Sequence, residues 1–63
     1  MYKLFIGNHE SIIGVEDAYI EMNNKFVRCK VVGYLYKSMK YQVVTEDART
    51  FNVNKIYFER KVN

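Results

Sequence analysis

The sequence predicts an all-β fold, five to six short antiparallel strands closed into a small barrel, and three observations support it. From Val15 onward Tyr, Val, Ile, Phe and Thr dominate, in short runs broken by polar turn residues. That composition suits a pleated, half-buried surface. No window repeats its apolar residues at helical spacing over several turns. The stretch "KFVRCKVVGYLYKSMKY", residues 25 to 41, alternates instead. Val27, Cys29, Val31, Gly33 and Leu35 fall on one side, and Phe26, Arg28, Lys30, Val32, Tyr34 and Tyr36 on the other. A period of two marks a strand with one face in a core.

The elements follow in order. Residues 1–14, "MYKLFIGNHESIIG", lie outside the barrel pattern, yet Leu4, Phe5, Ile6, Ile12 and Ile13 need burial. An added strand or short helix packed over part of the outer face would supply it. Residues 15–22 read as the first barrel strand. Asn23-Asn24 reads as a two-residue turn, because Asn tolerates the positive φ such turns require. The second strand, 25–36, would run to about 40 Å if straight, too long for so small a domain. Gly33 is the expected bend. A loop at 37–40, a strand at 41–45, a turn at Asp47-Ala48 and a strand at 50–53 come next. One helical turn at 54–56 then leads to a last strand at 57–61.

The turns set the register. Met22 pairs with Lys25, Ile20 with Val27 and Ala18 with Cys29 on the apolar face, while Tyr19 meets Arg28 and Asp17 meets Lys30 on the other. The next two turns place Gly33 opposite Val44, and Val44 opposite Phe51. The expected core is therefore Ala18, Ile20, Val27, Cys29, Val31, Leu35, Val44, Phe51 and Val53. A slip of one residue in any hairpin would scatter this set across both faces.

The totals restrict the rest. Sixty-three residues make one small domain, close to the size below which staples are needed. The single cysteine forms no internal disulfide and no metal site alone. With 49% apolar residues a core can form and disorder is not expected. No apolar run is long enough to span a bilayer, and the N-terminal stretch lacks the features of a secretory signal, so the expected compartment is the cytoplasm. A net charge of +3 is compatible with nucleic acid without selecting it.

Two segments carry a family resemblance. "AYIEMNNKFVRCKVV" sets a turn before an aromatic residue and a Val/Cys/Val core strand. "YQVVTEDARTFNVNKI" adds an acidic turn, an aromatic-valine strand and a closing apolar residue. Over residues 15–60 the chain resembles the SH3-like barrels of the Tudor and KOW type. The resemblance implies a barrel and a non-enzymatic, RNA- or protein-contacting role. Tudor-type readers hold methylated lysine or arginine in an aromatic cage. The corresponding positions fall near Ile20, Val27, Thr45 and Ala48, none of them aromatic, whereas a methyl-ammonium needs several π faces.

Catalysis finds no constellation. His9 is the lone histidine, in the polar "NHES". Cys29 sits mid-core, where a thiol acts as an apolar filler. Glu16-Asp17 are neighbours that a strand points to opposite faces. There is no phosphate loop, zinc spacing or nucleophile elbow, so neither an enzyme nor a cofactor is expected.

The outer face is the candidate site. It gathers Tyr19, Phe26, Arg28, Lys30, Tyr34, Tyr36 and Tyr41, with Lys37 and Lys40 in the adjoining loop. Rings that stack on bases beside cations that meet phosphates hold single-stranded nucleic acid, RNA or DNA. In that reading Phe26, Tyr34, Tyr36 and Tyr41 stack, and Arg28, Lys30, Lys37 and Lys40 contact phosphates. A competing reading is a protein-interaction module, such as a phage-encoded or mobile-element inhibitor docking on a host protein through its aromatic face or an edge strand. Homodimerisation through the aromatic face is a third. Cross-strand pairs such as Asp17 with Lys30 use up part of the charge, contributing roughly 0.2–1 kcal/mol each. Covering by residues 1–14 would leave the end near Tyr34, Tyr36, Lys37, Lys40 and Tyr41 open, together with Met39, whose side chain suits protein contact.

Overall fold

A computed structural model describes residues 1–60. Six strands form one antiparallel sheet: β1 (Tyr2–Leu4), β2 (Ala18–Met22), β3 (Lys25–Leu35), β4 (Lys40–Thr45), β5 (Thr50–Val53) and β6 (Tyr57–Glu59). Their order is β1-β6-β2-β3-β4-β5, so β1 and β5 are edges and the sheet is open. Among the described residues, helical structure is confined to a 3-10 turn at His9–Ile12.

The β2–β3 hairpin follows the expected register, Ala18 with Cys29, Ile20 with Val27 and Met22 with Lys25. Asn23 and Asn24 both take positive φ, 52° and 64°. That pair of left-handed residues matches the twist of the flanking strands. Val15 lies outside β2, but its carbonyl accepts from the Val31 amide at 2.9 Å, and Gly14 donates to the Val31 carbonyl at 2.7 Å.

The β3–β4 hairpin departs from expectation. Its positive-φ residue is Met39 (56°), so Leu35 pairs with Lys40 across a loop of residues 36–39. The register then shifts between Val31 and Gly33. Gly33 stands opposite Gln42, not Val44, and Tyr34 stands opposite Tyr41. An irregularity of this kind exchanges faces along the rest of the strand. Val43 is therefore fully buried in place of Val44, and Leu35 is exposed. Tyr41, expected outside, is buried.

The β4–β5 turn adds a compensating change. The Thr45 amide donates to the Arg49 carbonyl, enclosing residues 46–48, and Ala48 takes the positive φ (65°). That turn is one residue longer than Asp47-Ala48 alone, so Val43, not Val44, faces Phe51. The two differences cancel on β5, where Phe51 and Val53 pack against the core as expected.

No helical turn occupies 54–56. Asn54 is a bend, the Ile56 side chain is buried, and its carbonyl accepts from the Phe5 amide at 2.7 Å. β6 then inserts between β1 and β2. The expected end of this strand at Lys61 lies outside the described residues. Residues 1–14 serve both faces: Phe5 and Ile12 reach the core, whereas Tyr2 lies on the outer face against Phe26.

Gly33 is not a positive-φ position, and a Cβ there would meet only Gln42 Oε1 at 3.7 Å. The bend belongs to the register shift. Gly33→Ala is expected to leave stability unchanged or raise it by up to about 1 kcal/mol, since glycine weakens a strand interior. Urea unfolding monitored by circular dichroism measures it.

Candidate functional site

The outer face carries a four-ring cluster. Tyr2 stacks on Phe26 with centroids 4.1 Å apart and meets Tyr19 edge-on at 4.8 Å, while Tyr57 meets Phe26 edge-on at 5.0 Å. The register explains it, because Tyr19 pairs with Tyr57 and β1 lies beyond β6. One face of Phe26 is thus taken by Tyr2. All four rings are half-buried. Tyr2 and Tyr57 were absent from the sequence-derived face. Tyr57 could have been found by carrying the alternation of β2 across to the last strand, and Tyr2 could not.

Arg28 and Lys30 lie on this face, each next to a carboxylate. Arg28 is 4.0 Å from Glu46, and Lys30 is 3.8 Å from Glu16 rather than pairing with Asp17. Both pairs are exposed and contribute little to stability, yet the carboxylates lower the local positive potential. Between them lies a shallow groove of ≈ 330 Å³ walled by Val32 and Val44.

Tyr34 and Tyr41 face inward. Tyr34 stacks on His9, with centroids 3.9 Å apart and planes 4° from parallel, and meets Tyr41 edge-on at 4.9 Å. His9 therefore has aromatic partners: it pins the 3-10 turn to the β3–β4 hairpin. Asn8 caps that turn, accepting from the Glu10 amide at 2.9 Å. Tyr36 projects from the hairpin end, 60% exposed. Its hydroxyl donates to Glu10 at 2.7 Å, which raises its pKa above the ordinary tyrosine value.

Of the eight candidate binding residues, Tyr36 and Lys37 stand exposed at the hairpin end, with Lys40 half-buried beside them. Neither lysine makes an ion pair among the described residues. Met39 is 70% exposed, and Val32 and Leu35 are the next exposed apolar residues along β3. Phe26, Arg28 and Lys30 are separated from this group, and Tyr34 and Tyr41 lie beneath it. The continuous stacking platform expected from alternation is not assembled.

A second cleft of ≈ 480 Å³ opens on the inner side between the β2–β3 and β4–β5 turns. Met22, Val27 and Phe51 supply its apolar surface, and Lys25, Arg28, Glu46, Asp47 and Arg49 its charge. Two of the Tudor-cage positions, Val27 and Thr45, line this cleft. Phe51 is its one aromatic side chain, too few for a methyl-ammonium cage. The Thr45 hydroxyl donates to Asp47, which holds that carboxyl below its ordinary value, and Arg49 stands 3.0 Å away.

Cys29 is 2% exposed, and burial pushes its thiol up to about 11. It is expected to resist a thiol-specific reagent at neutral pH and to react only on unfolding, because the thiolate is the reactive species. A colorimetric thiol assay with and without denaturant checks this. Among the described residues no three His, Cys, Asp or Glu side chains converge on a metal position. Among the described residues no helix is long and apolar enough to cross a membrane.

Fold and surface together define a small all-β domain. Comparison of the chain with protein-family models, with curated proteins and with solved structures finds no match.

Proposed function

We propose that the chain is a non-enzymatic protein-interaction module that docks through the end of its β3–β4 hairpin. The exposure of Tyr36 and Met39 there, with Leu35 beside them and Lys37 and Lys40 at the margin, carries the reading. Aromatic residues and methionine are enriched at the cores of protein interfaces, and methionine adapts to irregular partner surfaces. The two lysines favour a partner whose apolar patch is bordered by carboxylates. A small inhibitor encoded by a phage or mobile element is one form this function takes. A partly open barrel of the Tudor or KOW type, with β1 and β5 left as edges, is part of the same proposal. It is supported by the return of β6 to β2 and by the long β3 that both halves of the sheet share.

Single-stranded nucleic acid is the second reading, favoured by an exposed ring, Tyr36, beside Lys37 and Lys40. It is weakened by the turning of Tyr34 and Tyr41 to the inner face and by carboxylates beside Arg28 and Lys30. Fluorescence anisotropy with labelled single-stranded RNA and DNA at two salt concentrations separates the two. No binding at low salt is expected. Binding that falls steeply with salt would replace the first reading with the second, since phosphate contacts release counterions. In parallel, a photo-crosslinking side chain at position 39 is expected to give a discrete protein adduct in the source cells. The same group at Glu21, on the far part of the outer face, is expected to give none.

A further inference from the structure

We propose that two copies of this chain associate through β5, edge to edge, into one continuous twelve-stranded sheet. The inference is independent of the hairpin reading.

It starts from the two edges. An exposed edge strand is a template for pairing unless a charge, a proline or a bulge blunts it. β1 has such protection: Lys3 is its central residue, and it pairs with Phe58, which packs on the core side. β5 reads Thr-Phe-Asn-Val and has neither charge nor proline.

The backbone then selects the partner. The Thr45 amide donates to the Arg49 carbonyl, and narrow pairs recur every second residue along an antiparallel ladder. Phe51 and Val53 therefore direct their amides and carbonyls at β4, opposite Val43 and Tyr41. Thr50 and Asn52 direct theirs outward.

These two residues are placed symmetrically about Phe51. In a two-fold antiparallel pairing centred on Phe51, Thr50 meets the second copy's Asn52 and Asn52 meets its Thr50. Each pair exchanges two hydrogen bonds. The same register keeps core sides together, so the half-buried Phe51 rings stand opposite one another. Neighbouring registers are poorer. Displacing the centre to Asn52 sets Thr50 against Asn54, which is in a bend, and centring on Thr50 sets Asn52 against Ala48, with φ 65°.

Charge does not oppose this choice. Antiparallel pairing brings Lys55 of one copy beside the β4–β5 turn of the other, where Glu46 and Asp47 stand against Arg28 and Arg49 and the cluster is neutral in sum.

Sedimentation velocity over a roughly hundredfold concentration range tests the proposal, because association follows mass action. The expected result is a rise from 7.5 kDa to twice that mass. Amide exchange at Thr50 and Asn52 is expected to slow over the same range, with no change at Tyr2 and Leu4, whose amides point outward from β1. Asn52→Pro removes an outward amide while keeping the β4 ladder, and Thr50→Lys places a charge on the edge. Either is expected to restore the monomer. A wild-type chain that stays monomeric throughout would overturn the proposal. So would a dimer in which both amides exchange at the monomer's rate, or one that survives both substitutions. The exchange measurement decides the matter even if a variant fails to fold.

Discussion

Val43→Asp is expected to unfold the protein, whereas Val44→Asp is expected to leave it folded. Val43 is fully buried, paired with Val31 and Phe51 within the apolar core cluster. An uncompensated charge there costs more than about 4 kcal/mol. A domain of this length has roughly 3–9 kcal/mol in total, by the usual stability per residue. Val44 is on the outer face opposite Lys30, half-buried in a shallow groove. The same change there is expected to cost about 1 kcal/mol or less, as surface substitutions do. Circular dichroism and an amide-proton spectrum of the two variants distinguish them. The register expected from the sequence assigns the opposite outcome to each residue, so this pair of variants tests the hairpin directly.

The second large effect concerns binding. Replacing Tyr36 with Ala and Met39 with Ser is expected to weaken the captured partner's affinity by about thirtyfold, near 2 kcal/mol, the scale of an interface hot spot. Both side chains are well exposed in the isolated chain, so stability is expected to change little. The Tyr36 substitution does remove the hydrogen bond to Glu10. That bond requires the phenolic proton, so its contribution is present below the ordinary tyrosine pKa and disappears as pH rises through the elevated one. Titration calorimetry at neutral pH therefore reads the interface with the bond intact in the wild-type chain. An unchanged affinity would remove the hairpin end from the binding surface and return attention to the outer groove and the aromatic cluster.

How far the site could be read in advance depended on one hairpin. Asn23-Asn24 is a turn whose residue type announces its geometry, and the pairs from Met22 back to Ala18 followed, with Ala18, Ile20, Val27 and Cys29 inside and Tyr19 and Arg28 outside, whereas the expected Asp17–Lys30 pair did not. Met39 gives no such announcement. Methionine is not a residue that favours positive φ, so the loop beyond β3 could not be placed to within one residue. Tyr34 and Tyr41 fit either face by composition, having an apolar ring and a polar hydroxyl. The register shift between Val31 and Gly33 set their side, and the His9 ring that packs on Tyr34 is in sequence only a polar residue in "NHES".

By itself, the sequence determined the all-β class, the positions of β3 and β5, the β2–β3 register and the exposure of Tyr36, Lys37 and the Met39 loop. Each follows from local rules, period-two alternation or a turn whose residues favour left-handed φ. Only the tertiary structure decided which face β4 turns inward, where residues 1–14 pack, and which edge remains unprotected. Those depend on contacts between segments distant in the chain: Tyr2 with Phe26, His9 with Tyr34, Phe5 with Ile56. Burial is shared among such contacts, and no short window of sequence contains both partners.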